Sequence, residues 1–405
     1  MPVTNLRFRP FGFIAVALFV AGFAAPAAGQ IYKLPRIDGA PGDHFGVDVA
    51  IDSNRVLIGA TGINACGDNA GAAYVYERDD STGQWRYKAT LQANDCAAGD
   101  FFGRTVALSG NVAVVSAFHG STAAMSNMTP NAAYVFEPDS SGAWRQTARL
   151  STGTDDSEGR FAADVAVDGN RIAISTAGDL TGGQINGAVY VYERSATGHW
   201  VRSARLSAPT DARGYVIGGS LSLDGDRVLV GASTAVQHRS GGAYIFDYDP
   251  ATRDWTWTGR ITGLNDFFLA ADLDGDQLLI GERKAGRKDE GAASIYQRQS
   301  DGKWTKHASL APSNPFELGA FGSAVAIEGG RALVVGYDEQ LQFDYNIDRV
   351  VYVFEQHEDG AWSQENIIDV GEVFFGSAID LDDAVAAIGQ ASDAEVGECL
   401  IVVLH

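Results

Sequence analysis

The strongest constraint on the fold is a repeat: one unit of alternating apolar segments recurs seven times along the 405 residues. In its second copy the unit reads FGRTVALSGNVAVVSA, residues 102–117, followed by AAYVFE and GAWRQTARL. The copies are 50 to 59 residues apart and start at Phe45, Phe102, Phe161, Ile217, Phe267, Phe321 and Phe375. Repeats of this length are typical of propeller blades, so the repeat outweighs chain length as a guide to architecture.

Each unit contains four segments in which Val, Ile, Tyr or Phe alternates with small or polar residues. In the first unit these are FGVDVAI (45–51), RVLIGA (55–60), GAAYVYER (71–78) and QWRYKATL (84–91). A period of two indicates strands, and the Gly, Asn and Asp residues between the segments indicate tight turns. The sequence therefore predicts an all-β, seven-bladed propeller with four antiparallel strands per blade.

Aromatic residues recur at fixed places in the unit. A Trp opens the fourth segment in six copies, six residues before a Leu or Ile, at Trp85, Trp144, Trp200, Trp255, Trp304 and Trp362. We interpret these side chains as packing residues that fill the gap between outer strands. The Phe-Gly pair at the start of most units is expected to let neighbouring sheets approach closely, with Phe filling the remaining space.

The seventh unit lacks a fourth strand, because after FGSAIDL, AVAAIG and ECLIVVLH the sequence stops at His405. The segment QIYKLPRI, residues 30–37, supplies a candidate for the missing strand, since Ile31 and Ile37 have the spacing of Trp and Leu elsewhere. We expect this N-terminal strand to join the last blade and close the ring, which removes two exposed sheet edges.

Residues 1–29 are interpreted as a signal peptide, because Arg7 and Arg9 precede an apolar run and small residues that end at Gly29. The run is shorter than the roughly 20 residues of a membrane span, and no Cys follows it to carry a lipid. We therefore expect export to the periplasm or the extracellular space, a single propeller domain over residues 30–405, and no membrane span.

Charge narrows the class of partner. The formal charge of the chain is −21, and removing residues 1–29 leaves 28 basic and 51 acidic residues. So acidic a protein repels polyanions, which argues against nucleic acid or an anionic membrane as partner. We expect a monomer that binds an extracellular or envelope protein or a glycan.

The runs FGxxVALxG at 102–110, LVGA at 229–232 and GAVYVY at 187–192 resemble those of bacterial FG-GAP repeat proteins. The fold of that family is similar to the seven-bladed β-propeller of the integrin alpha head, and the resemblance covers residues 30–405. FG-GAP repeats occur in binding, adhesive and enzymatic extracellular proteins, so the resemblance implies a fold and no single function.

One departure from the integrin pattern concerns calcium. In integrins the first two strands of a blade are often joined by a loop of pattern DxDxDGxxD, whose oxygen atoms enclose the ion. The nearest match here is residues 272–277, DLDGDQ, which lacks the later glycine and the closing acid. We interpret it, like residues 224–226, as an Asp-Gly hairpin turn, and we expect no metal and no cofactor.

In a propeller, the loops between second and third strands lie on the same face as the loops between blades. We call this the upper face; here its loops are long and unlike one another, and variable loops on a fixed scaffold usually carry binding. Cys66 and Cys96 both belong to upper-face loops, and in an exported protein they are predicted to form a disulfide worth roughly 3 to 4 kcal/mol. Cys399 is predicted to be a free core residue.

Several upper-face residues are candidates for chemistry. His119 could serve as a general base, and His238 with Arg239 as a base and a carboxylate clamp, while Tyr337 or Tyr345 could donate a proton. This set resembles the His and Tyr pair that some polysaccharide lyases on seven-bladed propellers use against uronic acids. The alternative is that these side chains are solvated or pack locally, since no motif ties them together.

Two further loop features indicate ligand binding. Arg283, Lys284, Arg287 and Lys288 could receive an anionic glycan or partner, although three nearby acids partly neutralise them. Tyr345, with Tyr337 and Phe343, could stack on a sugar ring or simply cap its blade.

Motifs of known enzyme classes are absent from the sequence: it has no GxSxG, HExxH, P-loop or dinucleotide fingerprint. The favoured hypothesis is an exported, non-catalytic propeller that binds a protein or glycan through its upper-face loops. The alternative is a carbohydrate-active enzyme, most plausibly a polysaccharide lyase, and a third hypothesis is a structural module of an envelope assembly.

Overall fold

The computed structural model describes residues 30–404 except for a set of short segments. Those segments are 35–36, 38, 119–130, 153–160, 177–186, 208–214, 235–240, 265–269, 287–289, 314–318, 338–347, 373–377 and 393–396. The expected signal peptide and the repeat starts Phe267 and Phe375 therefore lie outside the described residues. Within the described residues the secondary structure consists of strands, with no helix.

Twenty-eight strands form seven four-stranded antiparallel sheets. Blade 1 contains β2 (Phe45–Asp52), β3 (Arg55–Ala60), β4 (Ala72–Arg78) and β5 (Trp85–Leu91), and blade 2 contains β6 (Phe102–Ser109), β7 (Val112–Ala117), β8 (Ala132–Pro138) and β9 (Trp144–Leu150). Blade 3 contains β10 (Phe161–Asp168), β11 (Arg171–Thr176), β12 (Ala188–Arg194) and β13 (Trp200–Ser207), and blade 4 contains β14 (Tyr215–Asp224), β15 (Arg227–Thr234), β16 (Gly241–Asp249) and β17 (Asp254–Leu264). Blade 5 contains β18 (Ala270–Asp274), β19 (Gln277–Glu282), β20 (Ala292–Arg298) and β21 (Trp304–Leu310), and blade 6 contains β22 (Val325–Glu328), β23 (Arg331–Tyr337), β24 (Asp348–Gln356) and β25 (Trp362–Glu372). Blade 7 contains β26 (Ile379–Asp382), β27 (Val385–Gln390) and β28 (Glu398–Val403), to which β1 (Ile31–Lys33) is added. The predicted architecture is confirmed.

The first strand of each blade lies nearest the axis. Each contacts the first strand of the next blade, and β26 contacts β2, so the seven strands form a closed ring. The core lies between the blades: each apolar cluster combines side chains of two neighbours, as Leu57 and Val75 of blade 1 combine with Phe102 and Tyr134 of blade 2. Burial of apolar surface therefore depends on the ring being complete.

The N-terminal strand closes the ring as predicted, but in a different register. Ile31 pairs with Val402 and Lys33 with Leu400, and the N–H of Leu34 donates to Cys399 O at 3.0 Å. Leu34, which is 3% exposed, thus takes the position that Leu91 holds in blade 1, opposite Ala73. The predicted pairing of Ile31 and Ile37 with the Trp and Leu positions was wrong, because Ile37 lies beyond the strand and is 53% exposed.

The Phe-Gly step joins each blade to the one before it. Phe102 is fully buried between blades 1 and 2, with its ring centroid 5.6 Å from that of Tyr134. Gly103 (φ +91°) follows, and a Cβ there would meet the carbonyl oxygen of Ala72 and lie 3.0 Å from Ala60 N. Gly59 of blade 1 faces Gly103 in turn, since a Cβ on Gly59 would meet the Gly103 carbonyl. The predicted roles of Phe and Gly are confirmed.

The six tryptophans lie at or next to the start of outer strands. Each packs on the apolar cluster that its blade shares with the preceding blade: Trp85, Trp144, Trp200, Trp255, Trp304 and Trp362. Their predicted packing role is confirmed.

A ring of hydrogen bonds, which we call the turn ring, links the blades on the face opposite the upper face. The last side chain of each first strand accepts a backbone N–H from the first turn of the next blade. Six of these bonds are 2.6 to 3.1 Å long: Asp52 from Gly110, Ser109 from Gly169, Asp168 from Gly225, Asp224 from Gly275, Asp274 from Gly329 and Glu328 from Asp383. The seventh, from Ser53 N to Asp382, joins blade 1 to blade 7.

Two of these turns are the Asp-Gly hairpins that the sequence predicted at residues 224–226 and 272–277. Asp274 pairs with Gln277 across a two-residue turn in which Gly275 has φ +54°. Asp224 pairs with Arg227 across an equivalent turn. The carboxylates at 224 and 274 therefore point to the neighbouring blade and belong to the turn ring.

Candidate functional site

Most of the upper-face candidates fall outside the described residues. This applies to His119, His238, Arg239, Arg287, Lys288 and Tyr345. Whether the histidines and tyrosines converge near the axis, as a lyase requires, stays a prediction. Of the basic cluster, Arg283 is half-buried and Lys284 is exposed, both directly after β19 on the upper face.

Tyr337 ends β23 and pairs with Arg349 of β24. One guanidinium nitrogen of Arg349 donates to Tyr337 Oη at 3.3 Å, and its carbon atom lies 5.4 Å from the centre of the tyrosine ring. The hydroxyl therefore has a cationic neighbour at the upper end of blade 6.

The best described part of the upper face is a pair of cross-linked loops, which we call the blade 1 platform, residues 61–71 and 92–101. Cys66 and Cys96 form the predicted disulfide, with Cα atoms 6.1 Å apart. Backbone bonds from Gly99 N to Asp68 O (2.8 Å) and from Phe101 N to Asn69 O (3.0 Å) hold the two loops side by side. The platform is a fixed surface, and Cys399 remains a free, buried thiol as predicted.

The second candidate is a set of carboxyl groups around the axis, which the sequence analysis missed. Asp48, Asp164, Asp272 and Asp380 lie in the first strands of blades 1, 3, 5 and 7. They are deep in the body of the propeller, yet each keeps some surface on an axial channel. We call these four side chains the axial carboxyls.

Each axial carboxyl also binds the next blade. The N–H of Val106 donates to Asp48 at 2.7 Å, that of Ile327 to Asp272 at 2.8 Å, and that of Ile51 to Asp380 at 2.8 Å. Asp164 interacts in the same way with the backbone N–H of Leu221 in blade 4. These contacts lie above the turn ring, so the first strands of these blades are linked at two heights.

Burial dominates the acidity of these groups because it removes the water that stabilises a carboxylate. It raises the pKa of Asp48 to about 7, although the N–H groups of Val106 and Val49 lower it. Burial, with the charge of Asp48 adding to it, raises the pKa of Asp164 to about 8. Burial likewise raises the pKa of Asp272, and that of Asp380 rises well above its usual range.

The axial carboxyls and the turn ring line one continuous cavity of about 470 Å³. Ten acidic side chains face it: Asp48, Asp52, Asp164, Asp168, Asp224, Asp272, Asp274, Glu328, Asp380 and Asp382. In the described part of the chain, no Lys, Arg or His lines this cavity or the smaller one above it. The channel therefore concentrates negative charge without a basic side chain to balance it.

A sequence signal for this site existed in the first strands. In FGVDVAI and FAADVAV, an Asp directly precedes three buried apolar residues. Acids are rare at such places unless they are paired. Asp272 and Asp380 stand two residues later in their units than Asp48 and Asp164. What single strands cannot reveal is that the ring brings all four around one axis.

Comparison with protein-family models finds FG-GAP repeats at residues 29–76 and 85–136, which cover blade 1 and much of blade 2. No curated protein matches the chain in sequence. In the described residues, no helix has the length and apolar character needed to cross a membrane.

Solved structures share the fold at low sequence identity. A hypothetical selenium-binding protein from Sulfolobus tokodaii is 10% identical, with a TM-score of 0.52, over 79% of this chain and 76% of that one. A putative 6-phosphogluconolactonase from Bacteroides uniformis is 15% identical, also with a TM-score of 0.52, over 81% of this chain and 86% of that one. At such identities the likeness concerns the fold alone. The chain is a seven-bladed β-propeller that carries FG-GAP repeats.

Proposed function

We propose that this chain is an exported, non-catalytic propeller that binds a protein or glycan partner through its upper-face loops. Its functional unit is residues 30–405, released from a signal peptide at residues 1–29. A disulfide supports export, because such bonds persist in oxidising compartments outside the cytoplasm.

The observation that carries the proposal is the contrast between the two faces. On the turn face, two-residue hairpins are fastened to one another by the turn ring. On the upper face lie the longer connections, and the described ones at blade 1 are held by a disulfide and backbone bonds. Loops fixed in advance on a rigid scaffold lose little entropy when they bind, which is what a recognition surface needs.

Charge indicates the chemistry of the partner. The chain carries a formal charge of −21, and Asp68 is exposed on the blade 1 platform, as is Asp95, which forms an ion pair with Arg149 at 3.0 Å. Exposed Asn64, Asn69 and Asn94 add amide groups between them. This surface favours a protein with basic side chains or a neutral glycan, whose hydroxyl groups pair with amides and carboxylates.

The test compares one charge reversal on the two faces of the same blade. Asp68→Lys changes the platform, whereas Asp80→Lys makes the same change in the exposed β4–β5 turn on the turn face. A glycan array and purified basic envelope proteins are screened with the unmodified protein, and each ligand found is titrated with both variants. We expect Asp68→Lys to weaken binding about tenfold or more.

Asp80→Lys should leave the affinity within about twofold, since a single rim charge far from the contact has little effect on binding. Equal loss in both variants, or loss in Asp80→Lys alone, would contradict binding through the upper face. Depolymerisation of a uronate polymer by the purified protein would contradict the non-catalytic part of the proposal.

A further inference from the structure

The axial channel holds more negative charge than its surroundings can compensate. Ten carboxyl groups line about 470 Å³, and the lining residues that the structure describes include no basic side chain. Like charges that line one cavity repel one another, so a fully ionised channel is costly. Either protons or bound cations must relieve that repulsion.

The arrangement favours protons over a metal ion. Across the described residues, no three His, Cys, Asp or Glu side chains come together in a way that could hold a metal. The axial carboxyls sit in alternate blades, and each already accepts a backbone N–H from the next blade. A protonated carboxyl still accepts such a bond through its carbonyl oxygen, so protonation removes the charge and keeps the contact between blades.

We propose that the axial carboxyls form a pH-sensitive clamp: they are protonated in the folded propeller at mildly acidic pH, and their ionisation towards pH 8 loosens the packing of neighbouring first strands. The contacts involved are those between β2 and β6, β10 and β14, β18 and β22, and β26 and β2. The clamp is independent of the proposed binding function, because it lies on the axis and not in the upper-face loops.

The groups that face the axial carboxyls are acids or neutral hydroxyls. Asp48 on β2 adds its charge to that of Asp164 on β10 and Asp380 on β26, and Asp272 on β18 adds to that of Asp380. Asp274 on β18 acts on Asp272, and the hydroxyl of Ser222 on β14 donates to Asp272 at 2.9 Å. Below them, the remaining charged groups among the described lining residues are the acids of the turn ring. Every charge on the channel thus opposes ionisation of the others.

The sign of the effect follows from linkage. Burial raises the pKa of Asp48 to about 7 and of Asp164 to about 8 in the folded protein, whereas an unfolded Asp titrates at 3.8. Between those values the folded state holds protons that the unfolded state has lost, so stability falls as pH rises. The stabilising contribution is complete below about pH 4 and is lost as pH passes through 7 to 8. For each such carboxyl, the unfolding equilibrium constant rises up to about tenfold per pH unit inside this window.

The first measurement is chemical denaturation of the unmodified protein at intervals from pH 5 to pH 8.5. We expect the midpoint to fall steadily over this range. At pH 6, unfolding should release protons into a weakly buffered solution, and the carboxylic acid C=O stretch of the folded protein should be visible by infrared spectroscopy. A flat midpoint together with no such infrared band would overturn the proposal.

The second measurement uses Asp48→Asn and Asp164→Asn, which keep a carbonyl oxygen as acceptor. In each variant the denaturation midpoint should fall less between pH 5 and pH 8.5 than in the unmodified protein, and the infrared band should be weaker. The matched control is Asp139→Asn, because hydrogen bonds from Ser141 lower the pKa of that exposed carboxyl to about 2. In the control, the denaturation midpoint should fall with pH as much as it does in the unmodified protein.

Two results would overturn the clamp. One is a denaturation midpoint that falls with pH in both axial variants as much as it does in the unmodified protein. The other is stabilisation by calcium chloride at pH 8 that is absent in Asp164→Asn, since this would assign charge compensation to a metal cation. If one axial variant fails to fold, the other decides the matter, because burial also raises the pKa of Glu328 to about 7 and that side chain adds to the infrared and proton-release signals of the unmodified protein.

Discussion

Gly103 is a residue at which the backbone of blade 2 closely approaches that of blade 1. Its φ of +91° and the neighbouring backbone atoms of Ala72 and Ala60 leave no room for a Cβ. We expect Gly103→Ala to destabilise the protein by about 3 kcal/mol, combining backbone strain with overpacking between two sheets. Measuring the free energy of unfolding in urea tests this.

Gly110→Ala is the matched control for that variant. Gly110 also has a positive φ, +54°, but a Cβ there would meet nothing within 4 Å. Gly110→Ala should lower the free energy of unfolding by only about 1 kcal/mol, which is the cost of backbone strain alone. Equal losses in the two variants would show that contact between blades does not matter at Gly103.

Sequence predicted well those residues whose role depends on the repeat alone. Phe102 and Trp144 recur at fixed places in each unit, so their packing between blades follows from the pattern. Leu34 was missed because β1 is too short to show its register, and the spacing of Ile31 and Ile37 imitated that of Trp and Leu. Asp48 and Asp164 were missed because their proximity depends on the curvature of the ring, which no local pattern encodes.

Second strands add links of their own between blades. Arg227, the first residue of β15, donates from Nε to Asp247 in its own blade at 2.6 Å and from a terminal nitrogen to Asp276 of blade 5 at 3.0 Å. Its guanidinium carbon lies 5.2 Å from the ring centre of Trp304. Arg55, Arg171 and Arg331 make comparable bonds to the next turn. These arginines couple one sheet to the next without using the apolar core.

We expect Arg227→Met to lose about 2 kcal/mol of unfolding free energy, because the half-buried Asp247 loses its nearest charged donor and the exposed Asp276 loses another. Arg145→Met removes an ion pair to Asp139 from a side chain that is 69% exposed. That control should change stability by less than about 0.5 kcal/mol. Thermal denaturation of both proteins under one set of conditions makes the comparison, and a control that loses as much as Arg227→Met would refute the link.

At the scale of the whole molecule, ring closure depends on three residues of β1. Bonds from Val403 N to Gln30 O and from Leu34 N to Cys399 O fix the ladder, so the N–H of Tyr32 faces β28 and that of Lys33 faces outwards. Tyr32→Pro should therefore destabilise the propeller by about 2 to 3 kcal/mol, and Lys33→Pro by less than about 1 kcal/mol.

Tyr32→Pro removes both the tyrosine side chain and the backbone N–H. Tyr32→Ala removes the side chain alone, so the difference between these two variants measures the loss of the hydrogen bond. Circular dichroism during heating and light scattering at the midpoint provide the measurements, since an unpaired β28 edge promotes aggregation. Equal behaviour of the two proline variants would argue that β1 does not close the ring.

The pairing of Ile31 with Val402 also sets an order of events in time. A chain made from its amino end produces β1 before every other described strand, yet β1 finds its partner only after β28 exists. Until then one edge of blade 7 and the contact between Ser53 and Asp382 are missing, and the first and last blades each lack one of their two neighbours. Contacts so distant in sequence form slowly, so the newly made protein spends its longest vulnerable period as an open arc.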